Sequence, residues 1–181
     1  MLKCDVKEIQ KHFNSIEKMS RSYGGKRRAK GAAIGFGFTM LREGMGFETH
    51  ITPSIKGTAG LIRPTFCATA PGSKNKCDIV GTYFINSGKD WEPKYHTAVP
   101  PAKIDQIATL MEQTGAKVGV IAGQIDSTSG RSYSYYEDPE MFRIYTKPPK
   151  QGASTPAFML SMNPITDVDA RYLCNLAGAK K

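Results

Sequence analysis

The chain has 181 residues, 40% of them hydrophobic, with 25 Lys/Arg against 16 Asp/Glu for a formal net charge of +9. That length suits one domain with appendages and allows a real core, and no window approaches the roughly 18 uninterrupted apolar residues of a membrane span. Met1-Leu2-Lys3-Cys4-Asp5 lacks the apolar run and small-residue cleavage site of a secretory signal, so the expectation is a cytoplasmic protein with no membrane partner.

In chain order, residues 5–20 read as an amphipathic helix. Val6, Ile9, Phe13, Ile16 and Met19 recur at three- and four-residue steps, and Asp5 with Glu8 has the form of a capping box. Gly24-Gly25 ends the helix, and 26–30 reads as a basic connector. Phe36, Phe38 and Met40 alternate, which predicts a strand over 32–41. A turn at 42–46 and a strand at 47–51 follow. Residues 61–70 form a further strand candidate that Pro64 marks as edge or irregular, and 71–76 is a turn on composition. The β-branched and aromatic run 77–86 is the strongest strand signal. Residues 87–99 form a long polar loop, and a helix runs from Pro101 to Gly115, with Ile104, Ile107, Ala108 and Met111 on its apolar side. Strands are expected at 117–122, 141–145 and 156–162, a polar turn at 127–134, a linker at 148–155 and a last short helix after Pro164.

The expectation is an α/β fold: a single domain with a mixed, mostly antiparallel sheet flanked by an N-terminal helix and a central helix. Residues 1–30 would be an amphipathic helix and basic arm, 31–146 the core, and 147–181 a linker and short helix packed on it. Residues 1–30 hold nine Lys/Arg against three Asp/Glu. Arg21, Lys26, Arg27, Arg28 and Lys30 are the candidate polyanion contacts, since clustered cations attract nucleic acid by counterion release.

Motifs with chemistry are sparse. The glycines at 35, 37, 44 and 46 are not followed by a phosphate-loop signature. The four cysteines, Cys4, Cys67, Cys77 and Cys174, lack C-x-x-C spacing, which predicts reduced thiols. A Cys67–Cys77 clasp would require an oxidising compartment or a thermophile source. A zinc site drawn from these two, His50 and His96 lacks paired short spacings. Of the three histidines, His12 lies on the polar side of the first helix and His50 ends a strand. His96 sits in the long loop, where it could act as an acid/base with Asp105 and Glu92 in an unfamiliar hydrolase site.

The element order runs from a helix and a strand meander to Gly81-Thr82-Tyr83-Phe84-Ile85-Asn86. A loop then leads to a helix start at Pro101-Ala102-Lys103-Ile104-Asp105, followed by VGVIAG and FRIY strands. Over residues 5–146 this layout resembles the JAB/MPN family of zinc-dependent isopeptidases. The resemblance matches Gly81 to the family's strand glycine and Asp105 to its third zinc ligand. Phe84 and Asn86 stand at its two zinc histidines, Ser87 at its proline and Ala102 at its serine. Glu43 or Glu48 would take the early acidic position. Phenylalanine offers no lone pair, so the resemblance implies a metal-free pseudoenzyme without cofactor: a non-catalytic interaction or scaffold domain with a protein partner. The alternatives are a nucleic-acid-associated protein anchored by its basic N-terminal region and the hydrolase above.

Overall fold

The computed structural model describes residues 5–22, 28–87, 101–126, 141–149 and 158–161 and positions 171 and 175. It is an α/β fold. Helix α1 (Val6–Ser22) starts at Asp5, whose carboxylate accepts from the Lys7 N–H at 2.9 Å. This satisfies one of the amides that a helix start leaves unpaired. Glu8 turns to Lys11 (3.7 Å) and His12 (3.9 Å). Helix α2 (Arg28–Gly35) runs directly into a π-helix, π1 (Phe36–Gly44). Strands β1 (Glu48–Ile51), β2 (Ile55–Gly57), β3 (Gly60–Ile62), β4 (Phe66–Thr69) and β5 (Ile79–Ser87) follow. Then come α3 (Pro101–Thr114), β6 (Val118–Asp126), β7 (Met141–Tyr145) and β8 (Phe158–Ser161). Gly115 ends α3 in the left-handed region (φ +75), its N–H donating to the Met111 carbonyl at 2.9 Å. No described helix is long and apolar enough to cross a membrane.

Six strands make one sheet in the order β1-β4-β5-β6-β7-β8, and β2-β3 is a separate hairpin. All neighbours are antiparallel except β5 and β6, which pair in parallel from Ile79↔Val118 to Ser87↔Asp126. A parallel pair needs a crossover, and α3 supplies it. The chain leaves β5 at its carboxyl end and must re-enter β6 beside the start of β5, so α3 runs back along the sheet. Lys117 and Val118 N–H groups indeed donate to the Asp78 carbonyl just before β5.

Side chains alternate across the sheet and build a core on each face. One face packs Phe66, Ala68, Ile79, Val118, Val120, Ala122, Phe142 and Ile144 against α1, α2 and π1. The other packs Cys67, Val80, Ile121 and Tyr145 against Ile107, Leu110 and Met111 of α3, with Ile55 and Ile62 of the hairpin at its margin. Helices therefore cover both faces. Glycines permit close approaches between the helical layer and its neighbours. A Cβ on Gly35 would lie 3.2 Å from Ile16 of α1, and one on Gly37 would lie 2.7 Å from the Phe66 ring.

Two expectations are corrected. Residues 32–41 are helical, so the sheet is flanked by one more helical segment than the sequence suggests. This segment lies between α1 and the sheet and buries Phe36, Gly37, Thr39, Met40 and Leu41. Burial on both sides erases the one-sided period that marks a surface helix, and a short apolar run then reads equally as a strand. Cys67 and Cys77, rather than being free thiols, form a disulfide (Cα–Cα 5.6 Å). It links β4 to the residues just ahead of β5. Strand candidate 61–70 is split at Pro64 into β3 and β4.

Candidate nucleic-acid interface

Asp78 organises a turn at one end of the sheet. Its carboxylate accepts from the Ala70 N–H (2.7 Å), the Ser73 hydroxyl (3.0 Å) and the Asn75 side-chain amide (2.7 Å). Burial pushes its pKa up. The Asn75, Ala70 and Ser73 donors together with nearby Lys117 outweigh that and hold it below the ordinary 3.8. Asp78 is therefore an ionised structural anchor with its acceptor capacity in use. Around it the turn displays Lys74 and Lys76, both exposed.

The β2–β3 hairpin lies beside this turn. Lys76 Nζ donates to the Lys56 carbonyl at 2.6 Å. In register, Ile55 faces Ile62, Lys56 faces Leu61 and Gly57 faces Gly60. Ile55 and Ile62 pack toward α3, and a Cβ at Gly57 would collide with Gln113 of that helix. The alternate positions, Lys56 and Leu61, are exposed. Leu61 is 62% exposed, and Arg63 follows it into solvent. The result is a neighbourhood of Lys56, Arg63, Lys74, Lys76 and Lys117. Among the described residues none of these five is in an ion pair; the ion pairs found there involve Glu8 and Glu48. Five cations against the ionised carboxylate of Asp78 leave a net positive field that suits a polyanion.

The residues singled out in the sequence are not brought together. Arg21 lies in the last turn of α1, Arg28 opens α2 and Lys30 is half-buried within it. Lys26 and Arg27 lie outside the described residues, as do His96 and Glu92. Phe84 is half-buried on the α3-side core, Asn86 sits opposite Ile125 near the carboxyl end of β5, and Asp105 is half-buried one turn into α3. The crossover places Asn86 and the start of α3 at the same end of the sheet. Lys103, in that first turn, donates to Gln106 at 2.8 Å and lies 5.9 Å from the Tyr83 ring centroid; burial lowers its pKa. Glu43 is exposed at the end of π1, and exposed Glu48 contacts His50 (3.1 Å) on the edge strand β1. His12 is only 19% exposed in its side chain, because it lies against the Gly44 end of π1. Among the described residues no group of three His, Cys, Asp or Glu side chains is placed to hold a metal ion.

Sequence reasoning found the turn at 71–76 but not the β2–β3 hairpin, and assigned a site to neither. A signal was present: residues 49–77 carry Lys56, Arg63, Lys74 and Lys76 and no Asp or Glu. Spread over that length it does not register as a charge run, and only the fold gathers it.

No family model matches the chain, and no curated protein matches it. Among solved structures, a chain of the cryo-EM structure of a DrdV–DNA complex aligns with 96% of this chain at 14% identity and a TM-score of 0.47. The chain spans 13% of that protein's length. At that level the likeness assigns neither fold nor function.

Proposed function

We propose that this protein is a nucleic-acid-binding domain whose grip is mainly electrostatic. One observation carries the reading: five exposed cations outside any ion pair among the described residues, Lys56, Arg63, Lys74, Lys76 and Lys117, gather along the β2–β3 hairpin and the Asp78 turn, where the Asp78 carboxylate is half-buried and held by its own hydrogen bonds. Phosphates are the partner such a field favours, and binding would release condensed counterions. If all five contact phosphates, log K against log salt for duplex DNA has a slope of about −4.5. Raising salt from 50 to 200 mM then costs roughly 500-fold in affinity.

The test is fluorescence anisotropy with labelled random-sequence duplexes and single strands across that salt range. Lys74→Glu/Lys76→Glu/Lys117→Glu is compared with Arg27→Glu/Arg28→Glu/Lys30→Glu in the N-terminal region. The proposal expects the first set to flatten the slope by at least about 2.7 and the second to do less. A slope unchanged by the first set overturns it.

A second reading, a protein-binding scaffold with a degenerate JAB/MPN-like core, draws support from the β5–α3–β6 order and from Phe84 standing in the core. Metal analysis of the purified protein tests it, because stoichiometric zinc would contradict a degenerate site.

A further inference from the structure

We infer that the β2–β3 hairpin is a two-stranded ribbon that enters the major groove of B-form duplex DNA, with Lys56 and Leu61 facing the bases. The inference rests on the nucleic-acid reading above and specifies the nucleic acid and the element that reads it. The ribbon is anchored on one side only. Ile55 and Ile62 are packed toward α3, Gly57 lies tight against Gln113, and Lys76 ties the Lys56 carbonyl to the Asp78 turn. A rigid inner face leaves the outer face free to dock. That outer face is the cross-strand pair Lys56–Leu61, and Leu61 is the large hydrophobic residue left exposed among those described. A lone exposed leucine carries little meaning. Here it sits opposite one cation and two residues before another, on the outer face of a hairpin whose inner face is packed. A long cation can reach guanine acceptors, and an apolar side chain can meet a thymine methyl.

The choice of duplex DNA follows from shape and composition. The B-form major groove, about 12 Å wide, admits a two-stranded ribbon, whose strands lie about 5 Å apart. The A-form RNA major groove is too narrow and deep for side chains to read. Single-strand binders stack bases on aromatic side chains, whereas residues 52–65, which contain the whole ribbon, hold no Phe, Tyr or Trp. Arg63, Lys74 and Lys76 flank the ribbon and serve the phosphates on either side of the groove.

The experiment compares a labelled 20-bp DNA duplex, an RNA duplex of the same sequence and the single DNA strand, using the full chain and its Leu61→Ser and Lys56→Gln variants. Thermal melts check that both variants are folded, and dimethyl sulfate probing reads guanine N7 in the major groove. The expected result is DNA duplex affinity about tenfold or more above the other two probes, and N7 protection that either variant removes. Leu61→Ser should weaken duplex DNA binding about tenfold with an unchanged salt slope, and Lys56→Gln should flatten that slope by about 0.9 or less. Salt-dependent binding that is equal for all three probes and indifferent to Leu61→Ser overturns the ribbon while leaving the electrostatic reading intact. Absence of salt-dependent binding to every probe overturns both.

Discussion

Replacing Gly81 with alanine drives a methyl group into the ring of Phe66, its cross-strand partner on β4. The ring has little room to yield, because Gly37 of π1 also closes on it, at a distance where a Cβ would lie 2.7 Å away. Phe36 stands 6.1 Å off by ring centroid, and Phe66 is fully buried. Overpacking of this kind costs about 1–3 kcal/mol, and the locked ring puts Gly81→Ala near the top of that range. Loss of glycine's unfolded-state freedom returns about 0.5 kcal/mol, so a net cost of about 2.5 kcal/mol is expected. Urea unfolding followed by circular dichroism reads it directly, and thermal melting should show a drop of about 5–10 °C. The decisive step is the double-mutant cycle with Phe66→Leu. Leucine lacks the outer ring atoms that the methyl strikes. In that background Gly81→Ala becomes neutral or slightly stabilising, a coupling of about 3 kcal/mol. If Gly81→Ala costs the same in both backgrounds to within about 0.5 kcal/mol, the close approach of Gly81 to the Phe66 ring is not what constrains this position.

Asp78 is held below its ordinary pKa in the folded state, so its stabilisation is complete above the unfolded value near 3.8 and drains away as pH falls through the lower folded value. Unfolding free energy measured from pH 6 to pH 2.5 should fall more steeply for wild type than for Asp78→Asn, which itself loses about 1–3 kcal/mol at pH 7; parallel curves would refute this. The Cys67–Cys77 bond spans ten positions in sequence, and closing so short a loop stabilises by about 3 kcal/mol in the chain-entropy view. Reductant should lower the melting temperature by roughly 6–12 °C, and an unmoved melt speaks against the bond. Asp5→Ala removes the cap of α1 and should cost about 1 kcal/mol in urea titrations; no change would mean the cap is idle.

What could be read without coordinates divides along physical lines. Helices α1 and α3 were legible because each shows apolar residues to one side and polar residues to the other. Strands β5, β6 and β7 were legible as β-branched, apolar runs. The α2–π1 segment was not, because apolar surroundings on two sides remove the contrast that periodicity depends on, and its glycines argue against helix locally. Cys67 and Cys77 looked unpaired because their spacing matches no short motif, whereas the hairpin-like return of β4 onto β5 brings them together. The basic segment at 18–30 was visible as a cluster in sequence. The second group of cations was not, since Lys56, Lys76 and Lys117 become neighbours only through the hairpin, the Asp78 turn and the return of α3 to β6.

The single parallel pairing has a kinetic consequence. Joining β4 to β5 closes a short turn, which costs little chain entropy, but Ile79 can meet Val118 only after the whole crossover has been drawn in. Loop closure of that size is paid before the pairing repays it, so the central strands set the folding speed. Substitutions along α3 that weaken its contact with Gly119, such as Ile107→Ala or Met111→Ala, then act on the barrier to folding. Losses at the β7–β8 margin instead show mainly as faster unfolding.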